Sequence, residues 1–120
     1  TGATGRGVSL RRGARFSGYL AEITGSQLQG VLSYDSIVSL QGAKIINSVG
    51  RGVDLMQGSK CDLTNSTVTG NAIHDIRVLG GSICNASGCT TTNGEGSPNL
   101  NNVNVSEFNA ISSNNGIIWT

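Results

Sequence analysis

The sequence predicts an all-β fold, a parallel β-helix, and three observations carry that prediction. Glycine fills 18 of 120 positions while charged residues make up only 12%. That composition disfavours helices, where each interior glycine costs about 1 kcal/mol. Short motifs recur with a period of 22–23 residues. Within them apolar and polar residues alternate with the period of two that marks a strand. The length allows one small domain.

The elements follow from the repeat. Gly7-Val8-Ser9-Leu10, Gly30-Val31-Leu32-Ser33, Gly52-Val53-Asp54-Leu55 and Asp75-Ile76-Arg77-Val78 open successive units, spaced by 23, 22 and 23 residues. A fifth opening reads at Gly116-Ile117-Ile118-Trp119. Val8, Val31, Val53 and Ile76 fall on one face, with Ser9, Leu32, Asp54 and Arg77 on the other, the pattern of a half-buried strand. A second strand is expected around Gly13-Ala14-Arg15-Phe16, Ser36-Ile37-Val38-Ser39, Gly58-Ser59-Lys60-Cys61 and Gly81-Ser82-Ile83-Cys84. A third falls at Ile23-Thr24-Gly25-Ser26, Ile45-Ile46-Asn47-Ser48 and Val68-Thr69-Gly70-Asn71. Gly, Asn, Asp and Ser between the runs supply the turns. No unit holds the 3.6-residue stripe that a helical repeat needs. So short a unit cannot bury its apolar face alone, and must stack on its copies at about 4.8 Å per coil.

Stacking predicts contacts between coils. Ile23, Ile45 and Val68 should form a buried aliphatic ladder, with Phe16 and Phe108 at other ladder positions. Cys61 should lie over Cys84, and their parallel Cβ vectors favour a thiol ladder over a disulfide. On the outside, Asp54 should neighbour Arg77, Arg12 should neighbour Asp35, and Glu22 should neighbour Lys44. The fourth unit departs from the period, because Asp75 and Gly116 are 41 residues apart. An inserted loop is therefore expected over about 84–102. Loops on repeat scaffolds are where binding concentrates, although a plain surface excursion or a contact to a neighbouring chain is equally open. Neither end reads as the polar cap that a free-standing solenoid requires. The expectation is a segment of a longer coil stack, or one capped by other chains.

Several function classes are excluded. Eight Lys and Arg balance seven Asp and Glu, for a net charge of +1, so the clustered basic excess of a nucleic-acid binder is missing. No apolar run approaches the roughly 20 residues of a membrane span, and no signal peptide opens the chain at Thr1. Cys61, Cys84 and Cys89 are too few for an all-cysteine zinc site, and His74 sits in no ligand spacing. No metal and no cofactor are expected. The sequons at Asn65, Asn85 and Asn104 are ordinary in so Asn- and Ser-rich a chain. A nucleophile elbow is absent, and Gly2-Ala3-Thr4-Gly5-Arg6-Gly7 lacks the strand–helix context of a phosphate loop.

The Gly-Val-x-Leu openings, the Gly-Ser-x-Cys turns and the Asn/Ser-rich third strands resemble right-handed β-helices of the pectate-lyase-like kind. Among these, the chain is most similar to bacteriophage tailspikes and tail fibres. The resemblance spans Gly7 to Trp119 and rests on repeat texture, with no signature motif. It implies a homotrimer of the virion tail that binds, and in many members cleaves, bacterial surface polysaccharide. It also implies a carbohydrate site on the outer face of the helix or in grooves between subunits.

The residues themselves signal chemistry faintly. Glycoside hydrolysis usually needs two carboxyls about 5–9.5 Å apart. Asp35, Asp54 and Glu95 are the catalytic candidates, yet no spacing forces two of them together. Their alternative role is as solvated carboxylates paired with Arg12 and Arg77. A lyase would need a base such as His74 beside Asp75. Tyr19 and Tyr34 are the candidates for stacking on sugar rings, and Trp119 sits where it would pack on whatever follows. Three functional readings result: a structural and receptor-binding segment of a trimeric spike, a polysaccharide hydrolase or lyase, or a secreted β-helix adhesin.

Overall fold

The structure, a computed structural model, describes residues 5–86, 88–91, 103–105 and 111–113. Every regular element among them is a short strand. Coil 1 holds β1 (Val8–Leu10), β2 (Arg15–Ser17) and β3 (Glu22–Thr24), and coil 2 holds β4 (Val31–Tyr34), β5 (Ile37–Ser39) and β6 (Lys44–Ile46). Coil 3 holds β7 (Val53–Met56), β8 (Lys60–Asp62) and β9 (Thr67–Thr69). Coil 4 holds β10 (Ile76–Val78), β11 (Ile83–Asn85) and β12 (Thr90–Thr91), followed by β13 (Val103–Val105) and β14 (Ile111–Ser113). The strands assemble into three sheets, β1-β4-β7-β10-β13, β2-β5-β8-β11-β14 and β3-β6-β9-β12. Each strand pairs in parallel with its counterpart one coil away. The fold is a parallel β-solenoid, as the repeat predicts.

Inward side chains form continuous ladders. Ile23, Ile45 and Val68 stack through sheet three, with the last two fully buried. Phe16, Val38, Cys61 and Cys84 stack through sheet two, and the cysteines are free thiols. Burial of each such aliphatic side chain stabilises by roughly 1.5–3 kcal/mol. Glycine opens coils 2 and 3 for a steric reason. A Cβ on Gly30 would stand 2.5 Å from the Ile45 methyl, and one on Gly52 2.7 Å from the Val68 methyl. The first sheet thus approaches the third too closely for any side chain there.

The corners are equally regular. Every positive-φ residue among those described belongs to one of three columns: Arg12–Gly13, Asp35, Gln57–Gly58 and Gly80–Gly81 at corner one; Leu20, Gly42, Asn65 and Gly88 at corner two; Gly25, Asn47 and Gly70 at corner three. Small polar residues beside these columns lace the coils together. At corner one, Ser59 Oγ accepts from the Ser36 amide and the Ser33 hydroxyl while donating to the Met56 carbonyl. The Ser82 hydroxyl in turn accepts from the Ser59 amide. At corner two, Ser66 Oγ accepts from the Ala43 amide and donates to the Leu40 carbonyl. At corner three, Asn71 Oδ1 accepts from the Ser48 amide. All but the Ser59–Met56 bond join one coil to the next, so these side chains close backbone groups that the turns would leave unpaired inside the protein.

Four expectations need correction. First, coil 2 turns corner one in one residue fewer than its neighbours. Ser33 pairs with Leu10 and Leu55, whereas Ile37 pairs with Arg15 and Lys60. The quartet Ser36–Ser39 is therefore one residue out, and Val38 is the true counterpart of Phe16 and Cys61. Second, the outer face of the first sheet is not uniformly solvated: Leu32 and Asp54 are both fully buried. For Asp54 the cause is visible, since Arg77 and Gln29 both bond to its carboxylate. Third, residues 84–91 belong to the stack and not to an inserted loop, because Cys84 lies opposite Cys61 and Thr90 opposite Thr67. Fourth, the first sheet continues at β13, with Val103 opposite Ile76, well before the opening expected at Gly116. Gly116 itself, Phe108 and Trp119 lie outside the described residues.

Candidate functional site

Two outward-facing arrangements bring polar side chains together. The first is a notch at corner one. Coils 1 and 3 turn there through paired left-handed residues, Arg12–Gly13 and Gln57–Gly58, while coil 2 turns through Asp35 alone. The missing residue sets coil 2 back between two longer neighbours. The resulting open cleft has a volume of about 320 Å³ and is lined by Arg11, Arg12, Tyr34, Asp35 and Gln57. The Arg11 guanidinium lies over the Tyr34 ring, 4.4 Å from its centroid, a cation–π contact that fixes both side chains. Two of the residues singled out in the sequence, Tyr34 and Asp35, therefore share one concavity. Arg12 lines it as well, so its expected proximity to Asp35 holds at the level of the cleft.

The second arrangement crosses the first sheet. Arg77 donates to Asp54 from Nε at 2.7 Å and from Nη2 at 2.8 Å, a bidentate pair whose carboxylate is fully buried. Gln29 Nε2 donates to Asp54 Oδ2 at 3.1 Å, and Arg6 Nε donates to Gln29 Oε1 at 2.9 Å. One chain of bonds thus runs through four coils. Beside it, Arg51 Nε donates to His74 Nδ1 at 3.1 Å. Burial and the Arg51 and Arg77 guanidiniums hold the His74 pKa below its ordinary 6.5, against the opposing pull of Asp54 and Asp75. His74 is therefore neutral at pH 7, with its proton on Nε2 because Nδ1 accepts.

The remaining candidates separate. Asp54 is engaged by Arg77, and its strand partner Leu32 lies three residues before Asp35. That offset is about 10 Å along the strand, and nothing turns the two carboxyls toward each other. Glu95 lies outside the described residues. Tyr19 is 68% exposed and stands apart from the notch. Asp75 is buried and accepts from the Asn71 amide and Nδ2, so it serves corner three. Glu22 and Lys44 are register partners, whereas Arg77 and Asp54 form an ion pair. Asp62 titrates below its ordinary range: burial pushes it up, and hydrogen bonds from Thr64 and Gln41 together outweigh that.

Two of the thiols, Cys84 and Cys89, are chemically quiet. Cys84 is pushed up by its bond with Cys61 and by burial, and burial lifts Cys89 to about 12. Among the described residues no three His, Cys, Asp or Glu side chains gather about a point where a metal could sit, and no helix is long and apolar enough to cross a membrane.

Sequence reasoning missed Arg11 and Gln57 as lining residues, and Arg6, Gln29 and Arg51 as network members. The signal was present in both cases. Arg6, Gln29, Arg51 and His74 each precede a coil opening by one residue, and the single 22-residue spacing marks the short corner. Comparison with protein families, with characterised proteins and with solved structures finds no match to this chain.

Proposed function

We propose that this chain is a structural and receptor-binding segment of a homotrimeric bacteriophage tailspike or tail fibre, displayed on the virion tail, that binds bacterial surface polysaccharide. The observation that carries the reading is the corner-one notch. Saccharides are held by an aromatic face flanked by planar charged and amide groups, because a sugar ring offers apolar C–H faces and a polar hydroxyl rim. Tyr34, Asp35, Arg12 and Gln57 supply that set on one open cleft. Binding without cleavage is favoured because Asp54 is committed to Arg77, leaving Asp35 without a partner acid among the described residues. An apolar ridge supports the oligomer: Leu28, Val49 and Ile73, between sheets three and one in successive coils, are 46%, 54% and 48% exposed.

The test is retention on an array of bacterial surface polysaccharides, compared with Tyr34→Ala and Asp35→Ala. The parent should bind a subset of the glycans, and each variant should lose affinity by about tenfold, the equivalent of one good polar or stacking contact. A parent that binds none of them, or variants that bind as the parent does, would refute the reading. Light scattering should give the mass of three chains; a monodisperse monomer would remove the trimer from the proposal.

A further inference from the structure

The charged network on the first sheet carries an inference about which kind of saccharide is bound. We propose that Arg51, His74 and Arg77 form a subsite for a sugar carboxylate, so that the polysaccharide recognised is an acidic one. This rests on the saccharide reading above and adds to it the charge of the ligand.

Three observations support the assignment. The first is an excess of cationic donors. Arg51 and Arg77 both act on His74, and the only described carboxylates that oppose them there are Asp54 and Asp75. Asp54 is already met by three donors from Arg77 and Gln29, and Asp75 is engaged by Asn71. The second is that the donors are oriented but not used up. Arg51 spends Nε on His74, which leaves both its Nη groups without a partner among the described residues. Arg77 spends Nε and Nη2 on Asp54 and keeps Nη1. With Nδ1 accepting from Arg51, His74 keeps its Nε2–H. The third is rigidity: the Asp54 pair fixes one guanidinium, and the His74 bond fixes the other. A carboxylate has two oxygens and four lone-pair positions, and guanidinium donors match that geometry in bidentate fashion. The imidazole N–H adds a neutral donor.

The test is an NMR titration of the full chain with sodium glucuronate, glucose and acetate, following the His74 ring and the Tyr34 ring. Glucuronate should shift the His74 signals saturably, glucose at the same concentration should not, and acetate should bind more weakly than glucuronate. Arg51→Gln should weaken glucuronate binding by about tenfold, the loss of one charge-assisted contact. Added salt should weaken it further. The subsite is refuted if glucuronate leaves His74 unmoved, or if Arg51→Gln binds it as the parent does. Equal affinity for acetate would make this a general anion site and overturn its assignment to a sugar. Shifts at Tyr34 alone would sustain the notch while overturning the subsite. Shifts at His74 alone, with Tyr34→Ala binding glycans normally, would sustain the subsite while overturning the notch.

Discussion

The Asp54 carboxyl group lies in a place closed to solvent, and the cost of that burial is met by the groups that bond to it. Removing one partner of such a pair exposes that cost. Arg77→Met should destabilise the fold by about 3–5 kcal/mol, because it strands a buried carboxylate. The double change Asp54→Leu with Arg77→Met should recover most of the loss, since Leu32 already occupies the equivalent place one coil earlier. Urea unfolding midpoints of the three proteins would decide it. Next to this pair, His74 makes stability depend on pH. Its pKa in the folded chain is held below the unfolded 6.5, so the unfolded chain takes up the proton first. The contribution is therefore complete above pH 6.5 and is lost as pH falls through 6.5 toward the folded value. Arg51, Arg77, Asp54 and Asp75 are the charged groups that act on the ring. Melting temperature should drop between pH 7.5 and 5.5, and His74→Gln should flatten that part of the curve. The Asp54–Arg77 contact was legible from spacing alone. Its burial was not, because alternation tells which way a side chain points and nothing about what lies across it.

The elements are short, three or four residues for most strands, and none would persist alone. Corners and ladders hold them. The Ser59 hydroxyl engages three neighbours at once, so Ser59→Ala leaves buried groups of two coils unpaired and should cost about 1–3 kcal/mol. Thermal unfolding of that variant beside Ser39→Ala, in an outward strand position of sheet two, would check it; equal losses would mean that the hydroxyl column is dispensable. The strands and most ladders were readable from the repeat, since inward positions recur with the coil. The second strand of coil 2 was misplaced by one residue for a specific reason. Asp35 performs alone the turn that Arg12–Gly13 and Gln57–Gly58 perform in pairs, and matching motifs by residue type slides over a single deletion. A serine in the wrong column, Ser39, completed the false match.

At the scale of the whole molecule, each coil touches chiefly the coils on either side, and stability accumulates along the axis. That is why period and stacking could be read from sequence with no knowledge of side-chain contacts. The return of the first sheet at Val103 and not at Gly116 could not, because a loop of any length can separate two coils without altering either. The notch belongs to this scale too, since residues from three coils line it. Inserting a glycine after Asp35 would restore a uniform coil length. The variant should keep its β-sheet circular dichroism and its cooperative melt while losing saccharide retention; a variant that still bound as the parent does would dissociate the notch from binding. The short corner also bears on how such a stack of coils acquires new faces. An in-frame loss of one codon dents the surface yet leaves the register intact on either side of it. Relief is carved by subtraction at the edge of the thread, and the residues that hold the thread together need not change. Length variation at corners is then a dial for recognition that turns independently of folding.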